Sequence, residues 1–140
     1  MCRVPDAYGS GYGGGTGAAR VCATGGRIDH MLANLSLLEE AYAMGGRLTV
    51  LDRQNQIVLH EGGCQKFKMP PEYAYFSLVP LDAVLTGVSI ENAKYPLRDA
   101  VVTRAGMVTI SNEAIADSFS VTIREGRSLV IFSRDWTRVL

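Results

Sequence analysis

A chain of 140 residues with 47% apolar content is long enough for one domain-sized core, and it has no run of about 18 apolar residues that would cross a membrane. Lys plus Arg and Asp plus Glu stand at 14 each, which argues against a general nucleic-acid-binding surface, since that needs a basic excess. Cys2, Cys22 and Cys64 are odd in number and widely spaced, so neither a disulfide framework nor a zinc pattern is expected, and with no apolar signal core at the N-terminus a reducing cytoplasm fits.

Residues 1–19 form a glycine-rich leader, expected to be flexible. Gly9, Gly11 and Gly14 spell G-x-G-x-x-G, but no strand precedes them and no helix pattern follows, so the dinucleotide-binding reading fails its structural test. Arg20 to Thr24 reads as a short buried strand, with Cys22 as a small buried hydrophobe. Gly25-Gly26-Arg27-Ile28-Asp29-His30 then opens a helix pattern running from Ile28 to Met44. Ile28, Met31, Leu32, Leu35, Leu38 and Tyr42 fall at steps of three and four and predict one apolar stripe. Gly45-Gly46 supplies the stop. Strand, glycine turn and helix start bring backbone N–H groups and the positive end of a helix dipole to one place, which suits an anion. Arg27 offers a fork that matches phosphate. Asp29 can cap the helix, hold a metal ion or accept a proton.

After Gly46 the period changes to that of strands. Arg47–Asp52 and Ile57–Glu61 predict a hairpin around Arg53–Gln56. Further strands are expected at Cys64–Met69, Tyr73–Leu81, Val84–Ile90, Val101–Thr103, Met107–Ile110, Phe119–Arg124 and Arg127–Ser133, with Glu125-Gly126 as a hairpin-type turn between the last two. Short strands at roughly 8–12-residue spacing are the pattern of an antiparallel sandwich or barrel. The expected fold is therefore mainly β: an antiparallel β-sandwich over 47–140, preceded at 20–46 by one strand and one long helix of α/β type. That helix needs a partner for its stripe. Either it packs on the sandwich, or it belongs to an α/β domain whose other elements are absent.

Ala23-Thr24-Gly25-Gly26-Arg27-Ile28-Asp29-His30-Met31-Leu32-Ala33-Asn34 resembles the signature of the thiamine pyrophosphokinase family. Phe76-Ser77-Leu78-Val79-Pro80-Leu81, Thr86-Gly87-Val88, Lys94-Tyr95-Pro96-Leu97, Ile110-Ser111-Asn112-Glu113 and Glu125-Gly126-Arg127-Ser128-Leu129 resemble further family segments in the same order, across about residues 20–135. The resemblance implies an N-terminal α/β domain that binds ATP and Mg²⁺. It also implies a C-terminal β-sandwich that completes the thiamine site across a homodimer. The implied reaction moves the pyrophosphoryl group of ATP to the hydroxyethyl oxygen of thiamine, giving AMP and thiamine diphosphate.

Residue by residue, the resemblance implies Arg27 and Asp29 as catalytic residues, with Asp29 also on Mg²⁺. It puts Gly25, Gly26, His30 and Asn34 at the nucleotide, Tyr95 stacked on the pyrimidine of thiamine, and Ser111 and Asn112 hydrogen-bonded to it. One departure stands out. The family's aspartate-rich N-terminal segments have no counterpart, and Asp6 is the only acidic residue before Asp29. Two magnesium-bridged phosphates need several oxygen ligands, so this chain alone is expected to be catalytically incomplete. The other reading is a non-catalytic thiamine-binding or dimerisation module.

Overall fold

The computed structural model describes Cys2, the backbone of residues 18–22, and residues 27–136. Most of the expected leader (residues 1 and 3–17), Gly25 and Gly26 lie outside the described residues, as do the side chain of Cys22 and the end of the first expected strand, while residues 18 and 19 of that leader fall in a strand.

The chain runs β1 (Ala18–Cys22), α1 (Ile28–Ala43), β2 (Arg47–Leu51), β3 (Asn55–His60), β4 (Gly63–Lys68), β5 (Tyr75–Pro80), β6 (Val84–Glu91), β7 (Leu97–Thr103), β8 (Ser118–Ile123) and β9 (Ser128–Ser133). Two sheets result, one ordered β1-β2-β3-β9-β5 and the other β4-β8-β6-β7. β1 lies parallel to β2, with Ala18 opposite Arg47; the pairings of β2 through β9 are antiparallel. The mainly β, antiparallel fold expected from the strand spacing is the fold observed.

Alternation along the strands decides which side chains enter the core. Phe119, Val121 and Ile123 of β8 point inward, and the interleaved Ser118, Ser120 and Thr122 do not reach full burial. Against them lie Phe76 and Leu78 of β5, Val130 and Phe132 of β9, and Leu85, Val88 and Ile90 of β6. The Phe76 and Phe119 rings stack at 3.7 Å between centroids and 11° between planes. β9 sits between β3 and β5 and is covered on both faces, since Leu129 and Ile131 turn toward the helix side while Val130 and Phe132 turn toward the other sheet. A strand covered on both faces reads as a continuous apolar run, which is the Leu129–Phe132 segment.

The β2–β3 hairpin forms where its turn residues put it. The Asp52 carboxylate accepts the backbone N–H of Gln54 and of Asn55, both at 2.7 Å. Helix α1 ends in a Schellman arrangement. Gly46 N–H donates to Ala41 C=O at 2.8 Å and Gly45 N–H to Tyr42 C=O at 2.9 Å, with Gly45 at φ 78°.

Four expectations are corrected. First, Glu125-Gly126 is not a hairpin turn. β8 and β9 belong to different sheets, so residues 124–127 carry the chain from one sheet to the other. Gly126 has φ 104°, and a Cβ there would stand 2.6 Å from Leu85 Cδ2, which ties this crossing to glycine. Second, Met107–Ile110 is not a strand. It leads into an irregular segment that covers the outer edge of β5, with Leu78 N–H donating to Thr109 C=O and Phe76 and Asn112 exchanging both backbone hydrogen bonds. Covering an edge blocks strand-to-strand association. Third, the helix stripe is only partly used. Leu38 is 1% exposed against Val50, Ile57 and Leu129, with Leu35 packed beside it, whereas Ile28 is 74% and Leu32 60% exposed. Periodicity identified the helix but could not say how wide a contact the sheet offers. Fourth, Cys2 and Cys64 form a disulfide across 62 positions of sequence, their Cα atoms 4.6 Å apart. Spacing along the chain carries no information about that distance.

Of the two placements open for the helix, α1 packs on the sandwich, lying against β2 and β3 of the five-stranded sheet.

Candidate functional site

The structure separates the sequence-derived site residues into two groups. The first is at the start of α1. Arg27 is the N-cap residue, with its backbone extended and no side-chain cap bond. Its guanidinium reaches forward to Asp29 Oδ2 at 2.7 Å, with both side chains largely exposed. Asp29 is therefore not the N-cap. Its other oxygen, Oδ1, accepts the His30 backbone N–H at 2.9 Å, one of the orphan donors of the first turn, and its charge is favourable at this end of the dipole. His30 is exposed and Asn34, one turn on, is half-buried. Arg27 thus presents a cation at a helix start, but it is neutralised by its own Asp29.

Mg²⁺ at Asp29 can be tested on this geometry. Among the described residues no three His, Cys, Asp or Glu side chains gather closely enough to hold a metal ion, and the Asp29 carboxylate is taken by Arg27 and by the helix backbone. The residues described do not by themselves make a magnesium site.

The second group is on the sandwich and comes together tightly. Tyr95 lies in the connection between β6 and β7, and Ser111 and Asn112 lie in the segment covering the β5 edge. Asn112 is 3% exposed. Its Oδ1 accepts the backbone N–H of Tyr95 at 3.0 Å and of Glu113 at 2.9 Å, and its Nδ2 donates to Tyr95 C=O at 2.8 Å. The side chain expected to contact a ligand is occupied with the peptide backbone around Tyr95. The Tyr95 ring is 58% exposed, with Lys94 Nζ 5.6 Å from its centroid. Lys94 is paired with Glu113 Oε2 at 2.7 Å; this hydrogen bond and the carboxylate charge raise the Lys94 pKa.

Ser111 takes φ 56°, in the left-handed region uncommon for a non-glycine residue. Its N–H donates to Ser77 Oγ at 2.9 Å, and two residues earlier Thr109 Oγ1 donates to Leu78 C=O at 2.8 Å. Ser77 and Thr109 hold the loop that carries Ser111 and were missed from sequence. A serine inside an aromatic, apolar strand is the one signal that could have pointed to Ser77. Nearby, Tyr75 Oη donates to Asp135 Oδ2 at 3.2 Å, and the Asp135 charge raises the tyrosine pKa.

What the sandwich group offers is an exposed aromatic face beside a strained, firmly anchored polar loop. A flat cationic ligand suits such a face. Residues 64–130 match the family model described as "Thiamin pyrophosphokinase, vitamin B1 binding domain". The matched range contains Tyr95, Ser111 and Asn112. Over that range the sandwich is similar to the thiamine-binding domain of the thiamine pyrophosphokinase family.

Solved members and a curated relative agree with that family. The chain is 29% identical over 112 residues to thiamine pyrophosphokinase of Bacillus subtilis, an alignment covering 80% of this chain and 52% of the relative. It superposes on the crystal structure of the Bacillus subtilis thiamine pyrophosphokinase with a TM-score of 0.81 at 27% identity, covering 85% of this chain and 56% of that one. For the thiamin pyrophosphokinase of Geobacillus thermodenitrificans the TM-score is 0.77 at 32% identity, with 86% and 55% covered. The chain spans about half the length of the thiamine pyrophosphokinases it matches. Arg27, Asp29, His30 and Asn34 lie outside the range matched by the vitamin B1 binding domain.

Proposed function

We propose that this chain supplies the thiamine side of a thiamine pyrophosphokinase, the enzyme that transfers a pyrophosphoryl group from ATP to thiamine and releases AMP. The observation that carries the reading is the match of residues 64–130 to the vitamin B1 binding domain. In this reading the Tyr95 face receives the pyrimidine of thiamine and Ser111 lies at its polar edge. Arg27 and the backbone at the start of α1 meet the phosphates, with Gly25, Gly26, His30 and Asn34 around the nucleotide. Asp29 orders the attacking hydroxyl once phosphate has drawn Arg27 away from it. Any Mg²⁺ that accompanies the ATP would need ligands beyond those described, so no step is assigned to it.

A homodimer and a cytoplasmic location belong to the same proposal. The exposed Val101, Met107, Val108 and Ile115 give apolar surface for a second copy. Among the described residues no helix is long and apolar enough to cross a membrane.

The test is to titrate the full chain separately with thiamine and with ATP by calorimetry, following the melting temperature in parallel. Saturable thiamine binding with a rise in melting temperature is expected; a chain that melts identically at millimolar thiamine overturns the reading. Thiamine binding without ATP binding is the expected pattern for a chain that is catalytically incomplete alone. AMP formation from ATP and thiamine by the chain alone would show instead that it is complete. The non-catalytic module remains the second reading, favoured by the Arg27–Asp29 pair and by the lack of a metal-holding group among the described residues.

A further inference from the structure

Asn112 has three backbone hydrogen bonds to its side chain, two of them to the single residue Tyr95. A carboxamide that accepts from a residue's N–H and donates to the same residue's C=O fixes that residue as a strand partner would. Here the partner is a side chain that is itself held on both sides. The Asn112 backbone exchanges both of its hydrogen bonds with Phe76 of β5, and Phe76 stacks on Phe119 at the centre of the core. A rigid path therefore runs from the core through β5 to Asn112, and from Asn112 to the backbone of an exposed ring.

The neighbouring pairs reinforce it. Lys94 N–H donates to Glu113 C=O and Ile115 N–H to Asn92 C=O, so the 92–95 and 112–115 segments are tied along their length. These bonds do not reach Tyr95, whose backbone is held by Asn112.

The geometry points to Asn112 as a positioning residue rather than a ligand contact: its carboxamide clamps the Tyr95 backbone and so presents the Tyr95 ring to a flat, cationic ligand. The inference rests on the thiamine reading for the identity of that ligand, but the clamp is a property of the chain by itself. Oδ1 already accepts two hydrogen bonds and Nδ2 has one hydrogen engaged, which leaves little of the side chain for a substrate.

Two measurements on the full chain decide it. Amide hydrogen exchange in the ligand-free protein is read at Tyr95 and Glu113, with Phe119 and Val121 as core references. Asn112→Ala is expected to speed exchange at Tyr95 and Glu113 by about tenfold or more while the references hold, and to weaken thiamine binding by about tenfold. Asn112→Asp keeps the double acceptor but sets a carboxylate oxygen against Tyr95 C=O where Nδ2 donated, so it should speed exchange more at Tyr95 than at Glu113; it carries the test if the alanine variant loosens the core.

The second measurement is a double-mutant cycle with Tyr95→Ala, read as thiamine affinity. If Asn112 acts through Tyr95, Asn112→Ala adds less than about twofold once the ring is gone. Full additivity of the two substitutions would mean a direct contact with thiamine and overturn the proposal, as would unchanged Tyr95 exchange in Asn112→Ala. If the unmodified chain binds no thiamine, the functional reading fails, and the exchange at Tyr95 still decides whether the clamp exists.

Discussion

At the scale of single residues, His60 shows how a side chain with no catalytic assignment controls the sandwich. It is fully buried at the end of β3. Nε2 donates to Val121 C=O of the opposite sheet at 2.9 Å, and Nδ1 accepts the Gly62 N–H at 3.0 Å. That pair of roles requires the neutral imidazole with its proton on Nε2. Burial pushes the His60 pKa below its ordinary 6.5, against a smaller opposing effect of the Val121 hydrogen bond. The unfolded chain then takes up a proton near pH 6.5 that the folded chain does not. The stabilisation is complete above that pH and falls as pH drops below it, until the depressed folded-state value is passed, with a slope of at most about 1.4 kcal/mol per pH unit. Urea unfolding at pH 7.5 and 5.5 should show lower stability at the acid end, and His60→Gln should flatten the difference. Equal pH dependence in both proteins would rule out this role. The sequence offered two histidines and no hint of which was buried, because burial is decided by β8 crossing over β3 some sixty residues later.

At the scale of elements, α1 is where pattern and packing part. Its apolar residues recur at helical spacing and the helix forms where expected, with its glycine stop. The five-stranded sheet covers Leu38 and Leu35, and leaves Ile28 and Leu32 in solvent. Leu38→Ala should cost about 2–5 kcal/mol, the range for a buried leucine whose site cannot collapse. Leu32→Ala should stay within about 0.5 kcal/mol. Guanidinium denaturation of the two variants checks the contrast, and equal losses would mean that the exposed stripe is covered in solution. The strands divide the same way. β8 was legible because one face is wet and the alternation survives; the β2–β3 hairpin was legible because Asp52 builds its own turn. The 107–112 segment was not, because its apolar residues satisfy the strand pattern while Ser111, at positive φ, takes its backbone out of the ladder.

At the scale of the whole molecule, the Cys2–Cys64 bond ties the start of the chain to edge strand β4. A cross-link closing a loop of this length removes unfolded-state entropy worth up to about 4 kcal/mol. Melting with and without dithiothreitol should show a drop of several degrees on reduction, absent in Cys64→Ser. In a reducing compartment the pair stands as thiols and the chain should melt as the reduced form does. By itself the sequence determined helix α1 and its ends, the mainly β character, and through an ordered set of short segments the likeness to the thiamine pyrophosphokinase family. Each of these is a local matter, a period or a motif written in contiguous residues. Only the tertiary structure decided which strands share a sheet, that β8 and β9 are split between two, which face of α1 is covered, that Cys2 meets Cys64, and that Asn112 grips Tyr95. Those depend on distances between residues far apart in the chain, and hydrogen bonds and apolar burial form between whatever the fold brings within reach.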